Sequence, residues 1–278
     1  MTDPNTARTE CVFCGSTENK MTKEHLYGDW IAAVLPEPER RRDRTVLTRD
    51  QETLEWQTKK WSEPEFRHQT TRRLVCDPCQ GHLNSGVEIP VQHVGPDVFH
   101  GRYLSVLTTG TIALAAWAAK LAILRETFDP PSHRVFTVDQ RRQYHRTLVP
   151  PDGVMVFAST IWKEATRWPA RDRNTTIGAE IDGRAPDRAN IQIASFGLRR
   201  LVLIVVNTTF GGPIMDLSAL GPEGIVRLWP DPRSFTWPLP EPLTDAELDE
   251  LTGDNPLFFF PTAGPVVGGV LPPGFVPE

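Results

Sequence analysis

The sequence predicts an α+β fold made of a cysteine-stapled N-terminal module, a long buried helix and a mainly antiparallel sheet domain. Three observations predict it. Two Cys-x-x-Cys pairs, Cys11/Cys14 and Cys76/Cys79, bracket the first part of the chain. Residues 107–127 form one Ala- and Leu-rich stretch that is apolar on nearly every side, the pattern of a helix buried between layers. Five short strand-like runs follow, separated by Gly, Pro, Asn and Asp and with no helix-length pattern between them, which favours antiparallel pairing. These features place the module at residues 1–100, an α+β domain at residues 101–253, and a Pro/Gly-rich apolar tail at residues 254–278.

Within the module, Gly15 follows the first cysteine pair, where a tight turn needs its conformational freedom. Residues 30–35 read as a brief helix stopped by Pro36 and Pro38. Residues 45–47, 54–61 and 70–75 read as strands, with Trp56 and Trp61 placed to pack on the cysteine turns. The long helix ends before Pro130 and Pro131. The later strands are expected at residues 154–161, 175–181, 191–196, 201–206 and 224–228. Thr244-Asp-Ala-Glu247 is a capping box that opens a short helix ending near Gly253.

Of the 278 residues, 39% are hydrophobic and 23% charged, and the formal net charge is -5, which describes a soluble globular protein. Such a balance gives no argument for nucleic acid by itself. Residues 35–80 hold ten Lys or Arg against nine Asp or Glu, yet Arg40, Arg41, Arg42 and Arg44 with Lys59-Lys60 and Arg72-Arg73 can line one face, and phosphate contacts are local. The first ten residues are polar, which predicts no secretory signal. The apolar run at residues 111–124 is broken by Lys120 and followed by Arg125, too short and too charged to span a bilayer. A soluble, cytoplasmic protein with no membrane partner is expected.

All four cysteines of the chain lie in the two pairs. In a reducing compartment that usage points to metal rather than disulfides. Two turns that each offer two thiolates complete a tetrahedron around one Zn²⁺, and four thiolates leave no open position for water. The predicted zinc site, Cys11, Cys14, Cys76 and Cys79, is therefore structural.

Between the pairs lies Thr22-Lys-Glu-His-Leu-Tyr-Gly-Asp-Trp30, and after the second lies Cys79-Gln-Gly-His-Leu-Asn-Ser85-Gly-Val-Glu88. Together with Cys11-Val-Phe-Cys-Gly15, these resemble the HNH endonucleases of a bacterial and phage subgroup over residues 11–88. Ala115-Ala-Trp-Ala-Ala-Lys120 also looks like the helix that often follows there. The resemblance implies a ββα-metal (HNH-like) module clamped by zinc. It implies that His25 is the general base for water attack on a phosphodiester of DNA, and that Glu24 helps hold a catalytic Mg²⁺ or Mn²⁺. That pairing makes chemical sense, because the reaction needs a deprotonated water and a cation on the developing charge. Gln80 stands where the family commonly has Asn or His as a cofactor-binding residue; His82, a third candidate catalytic residue beside His25 and Glu24, and Asn84 are the alternatives for that contact. The rival expectation is a catalytically inactive zinc-binding module that recognises nucleic acid or a protein partner. His68, His93, His100, His133 and His145 show no ligand-like spacing and read as structural or surface residues.

Overall fold

Strand pairing is antiparallel throughout the named strands of the computed structural model, which describes residues 10–35, 41–49, 56–64, 71–161, 170–177, 189–209, 224–244 and 246–247. From the first cysteine turn the chain enters β1 (Met21–His25) and α1 (Trp30–Val34). A hairpin of β2 (Arg41–Arg49) and β3 (Trp56–Pro64) follows, and β4 (Thr71–Cys76) returns beside β1. The second cysteine pair then starts one continuous helical rod: α2 (Asp77–Leu83), a π-helical turn (Asn84–Glu88) and α3 (Ile89–Phe99). Next come β5 (Leu104–Val106), the long helix α4 (Thr108–Glu126) and α5 (Val138–Thr147).

The rest is a five-stranded antiparallel sheet of β6 (Val154–Thr160), β7 (Ala170–Ile177), β8 (Ile191–Leu198), β9 (Leu201–Thr208) and β10 (Ile225–Trp229), in the order β10-β6-β9-β8-β7. A last strand, β11 (Phe235–Trp237), pairs with β5. One face of the sheet turns to the shared core through alternate positions: Val154, Val156 and Ala158, then Ala194, Phe196 and Leu198, then Leu201, Leu203 and Val205, with α4 packed against β6, β9 and β10. Every residue of β6, β8 and β9 is buried, the polar Ser159, Thr160, Gln192, Ser195, Asn207 and Thr208 among them, so both faces of these strands are covered. The same apolar cluster takes in Phe13, Val75, Leu83 and Val87, so residues on both sides of position 100 share one core.

The helix at residues 107–127 and the sheet strands lie where the sequence puts them, within a few residues. β2 and β3 are longer than expected, and β7 starts earlier, at Ala170. Helices α3 and α5 were not expected. Pro90, Gly95 and Pro96 mask α3, which extends from the rod before it and needs no start signal of its own. In α5 the charged sequence hides the helix, although Thr137 and Gln140 form a reciprocal capping box. The Thr244–Glu247 capping bonds are present. Arg40, Leu54, His68, Thr70, the helix end near Gly253 and the tail lie outside the described residues, as do the side chains of Trp56 and Trp61. Among the described residues, no helix is long and apolar enough to cross a membrane.

At the end of α4, the fully buried carboxylate of Glu126 accepts the backbone N–H groups of Val135 (2.9 Å) and Phe136 (3.0 Å) and faces Arg141 at 3.3 Å. Burial pushes its carboxyl up to about 7, against the pull of those donors. A raised folded value favours the protonated, folded form. This contribution is full below the ordinary carboxyl value and is lost as the pH rises through about 7. Unfolding stability is expected to fall by about 3 kcal/mol over that window, a slope that Glu126→Gln removes in urea titrations.

Candidate functional site

The Sγ atoms of Cys11, Cys14, Cys76 and Cys79 all lie within 4.8 Å of one another, a cluster that could hold a metal ion such as zinc. Local structure delivers them. Cys11 closes its turn through hydrogen bonds between its N–H and the Ser16 carbonyl and between Gly15 N–H and its own carbonyl, both 2.9 Å, with Gly15 at φ 77°. Cys76 ends β4 and caps α2, and Cys79 sits in the first turn of that helix, where the helix dipole favours thiolates. The Cys76 backbone N–H points at Cys11 Sγ (3.4 Å), and Cys14 Sγ stands 3.7 Å from Cys76 Sγ. Burial and neighbouring thiols push Cys79 well up, and burial also raises Cys14. Burial acts the same way on Cys11, but backbone hydrogen bonds outweigh it and lower that thiol. Four crowded sulfurs that cannot ionise together in a dry site are the donor set a soft dication discharges.

A cleft of about 600 Å³ opens beside the tetrad, lined by β1, α1 and the helical rod. The rod contributes Gln80, Asn84, Glu88 and Gln92, spaced by four. In a plain α-helix, each step of four overshoots a full turn by about 40°, so such a stripe drifts off its face. The π turn interrupts the drift: its wider turn, seen in the bond from Ile89 N–H to the Asn84 carbonyl, brings Glu88 and Gln92 back over the cleft. From the other wall come Glu24 and His25. Neighbours on a strand normally face opposite ways, but His25 is the last residue of β1, where the regular strand gives way to the turn before α1. Both residues reach the cleft.

Glu24 forms its floor. Lys120, from the middle of α4, is 2% exposed and donates to Glu24 Oε1 (2.5 Å) and Glu88 Oε1 (2.8 Å). Trp117 Nε1 donates to Glu88 Oε1 (3.2 Å) and Trp30 Nε1 to Glu88 Oε2 (2.6 Å). Gly28 permits the last contact, since a β-carbon there would stand 2.6 Å from Glu88 Oε2 and 2.8 Å from the Trp30 ring. Glu88 is thus held by three donors and acts as an anchor. Burial opposes a charged ammonium at Lys120, and the two carboxylates overcome it and raise its value. Removing the lysine strands two buried carboxylates. Lys120→Met is expected to cost about 3–5 kcal/mol of unfolding free energy in urea titrations, and adding Glu88→Gln to recover part of it.

At the mouth, His25 Nδ1 lies 2.8 Å from Asp29 Oδ1. A carboxylate at Nδ1 fixes the ring so that Nε2 carries the lone pair. His25 is a quarter exposed, and Asp29 is mostly in solvent.

The structure therefore brings Glu24, His25, Gln80 and Asn84 to one cleft. It does not bring His82 there. Two residues beyond Gln80 is about 200° around the helix, and His82 packs on His145 instead, with its Nε2 2.9 Å from the His145 carbonyl and ring centres 4.9 Å apart. Asp29 was missed, although its i+4 spacing from His25 was visible. The anchoring roles of Glu88 and Lys120 are also additions. Among the described residues, no other group of three or more His, Cys, Asp or Glu draws its ligand atoms together as the tetrad does. No family of known proteins, no curated protein and no solved structure matches this chain.

Proposed function

We propose that the chain is a metal-dependent endonuclease of the HNH type that hydrolyses phosphodiester bonds in DNA, with its cysteine tetrad holding a structural Zn²⁺. The observation that carries the reading is the His25–Asp29 pair opening onto the same cleft as Glu24. Asp29 orients the imidazole, and Nε2 of His25 takes the proton of the attacking water. Lys120 and Glu88 hold the Glu24 carboxylate at the floor with one oxygen engaged. Glu24 with the carboxamide oxygens of Gln80 or Asn84 offers hard oxygen ligands suited to Mg²⁺ or Mn²⁺, which commonly takes one or two carboxylates and completes its shell with water and substrate phosphate. When bound, such an ion supplies charge stabilisation to the phosphoryl oxygens.

A second reading has a specific observation behind it: Glu24 is buried and paired with Lys120, as a purely structural carboxylate is. On that reading the chain is a non-catalytic zinc-binding module for nucleic acid or a protein partner. Incubation of the purified protein with plasmid DNA and Mg²⁺ or Mn²⁺ separates the two. Metal-dependent nicking supports the nuclease. No cleavage of DNA or RNA over a range of metals favours the binding module.

A further inference from the structure

A second pocket, of about 330 Å³, lies between the Cys11–Gly15 turn and α5, and it shares no residue with the cleft of Glu24 and His25. We propose that it binds a phosphate ester of nucleotide size through Arg134, Arg141 and Arg142. Arg134 is fixed by hydrogen bonds from Nε to the Asp129 carbonyl (3.4 Å) and from Nη2 to the Thr127 carbonyl (3.3 Å). Arg141 uses Nη1 on Glu126 Oε1 (3.3 Å) and the Phe136 carbonyl (2.9 Å), and its side chain is 18% exposed. Each guanidinium is thereby held rigid along one edge. The remaining edges, Nη1 of Arg134 and Nε with Nη2 of Arg141, have no hydrogen-bond partner among the described residues. Arg142, on the same wall, has no polar partner there at all.

Planar, pre-oriented guanidinium edges are the groups that take phosphate oxygens two at a time. The N-terminus of α5, at Val138, borders the pocket and adds its partial positive charge. Two acids oppose this. Glu126 neutralises Arg141 from behind, and Glu10 stands at the mouth. Its Oε1 and Arg142 Nη2 lie 2.9 and 3.3 Å from where a β-carbon on Gly15 would sit, so the glycine keeps the mouth open between them. Three cations against two acids leave a positive balance. The wall facing α5 is apolar, with Val12, Phe13 and Leu74, and Val138 of α5, 48% exposed, adds an apolar edge. That wall suits the flat base of a nucleotide, and the volume suits one nucleotide unit, from solution or from a strand.

The test is calorimetric titration of the full chain with thymidine 5′-monophosphate and with a 12-nucleotide single strand, in Arg142→Ala, Glu10→Gln and, as control, Arg146→Ala, an exposed arginine farther along α5 that does not line the pocket. Arg142→Ala is expected to weaken binding at least about tenfold, the loss of a charge-assisted contact. Glu10→Gln is expected to tighten it several-fold, which a merely structural pocket would not show, and Arg146→Ala to leave it within about twofold. Binding of the mononucleotide identifies a free nucleotide as sufficient, and binding of the strand alone identifies a strand. Equal losses in Arg142→Ala and Arg146→Ala, or no binding of either probe, overturn the proposal. Neither probe depends on cleavage, so a failed nuclease assay leaves this result readable.

Discussion

Freshly purified protein is expected to carry one zinc per chain, and Cys76→Ser is expected to lose both the metal and the fold of the cysteine-stapled segment. Cys76 is fully buried, and three features meet on it: the end of β4, the cap of α2, and a sulfur 3.7 Å from Cys14 Sγ. Losing one thiolate leaves three ligands, which no longer close a tetrahedron. Structural zinc contributes on the order of 10 kcal/mol of folding free energy in small peptides. Here Cys11, Cys76 and Cys79 belong to the same apolar cluster as α4, so the damage spreads. The helical rod that carries Gln80, Asn84 and Glu88 starts at Cys76, so the cleft should come apart with the tetrad. Elemental analysis settles the metal, and a chelator should lower the urea midpoint of wild type toward that of Cys76→Ser. Zinc-free protein with an unchanged midpoint would remove the tetrad from the account.

What could be read in the sequence is what local pattern determines. Four cysteines with no others in the chain leave little room for a second interpretation, and the tetrad is present. Helix α4 announced itself because nearly every side of it is apolar, and the sheet strands because their runs are short and punctuated by turn residues. Other features depend on the third dimension. Lys120 is 96 positions from Glu24 and 32 from Glu88, and no local pattern pairs them. The π turn has no sequence signature, yet it decides that Glu88 and Gln92 share a face with Gln80 and Asn84. Helical geometry chooses Asn84 over His82 for the cleft, a choice that needs the start of α2 at Asp77 to be known.

Cleavage of plasmid DNA by wild type, His25→Ala and His82→Ala, each with its zinc content measured, tests the central claim most directly. His25 faces the cleft with its Nδ1 held by Asp29, whereas His82 sits on the other side of α2 against His145. General-base removal typically costs about 10²–10⁴-fold in rate. The expected result is a loss of that size in His25→Ala with zinc and thermal midpoint unchanged, little loss in His82→Ala, and weakened dependence on added Mg²⁺ in Glu24→Ala. Equal cleavage by wild type and His25→Ala would trace the activity to a contaminating nuclease and contradict the account.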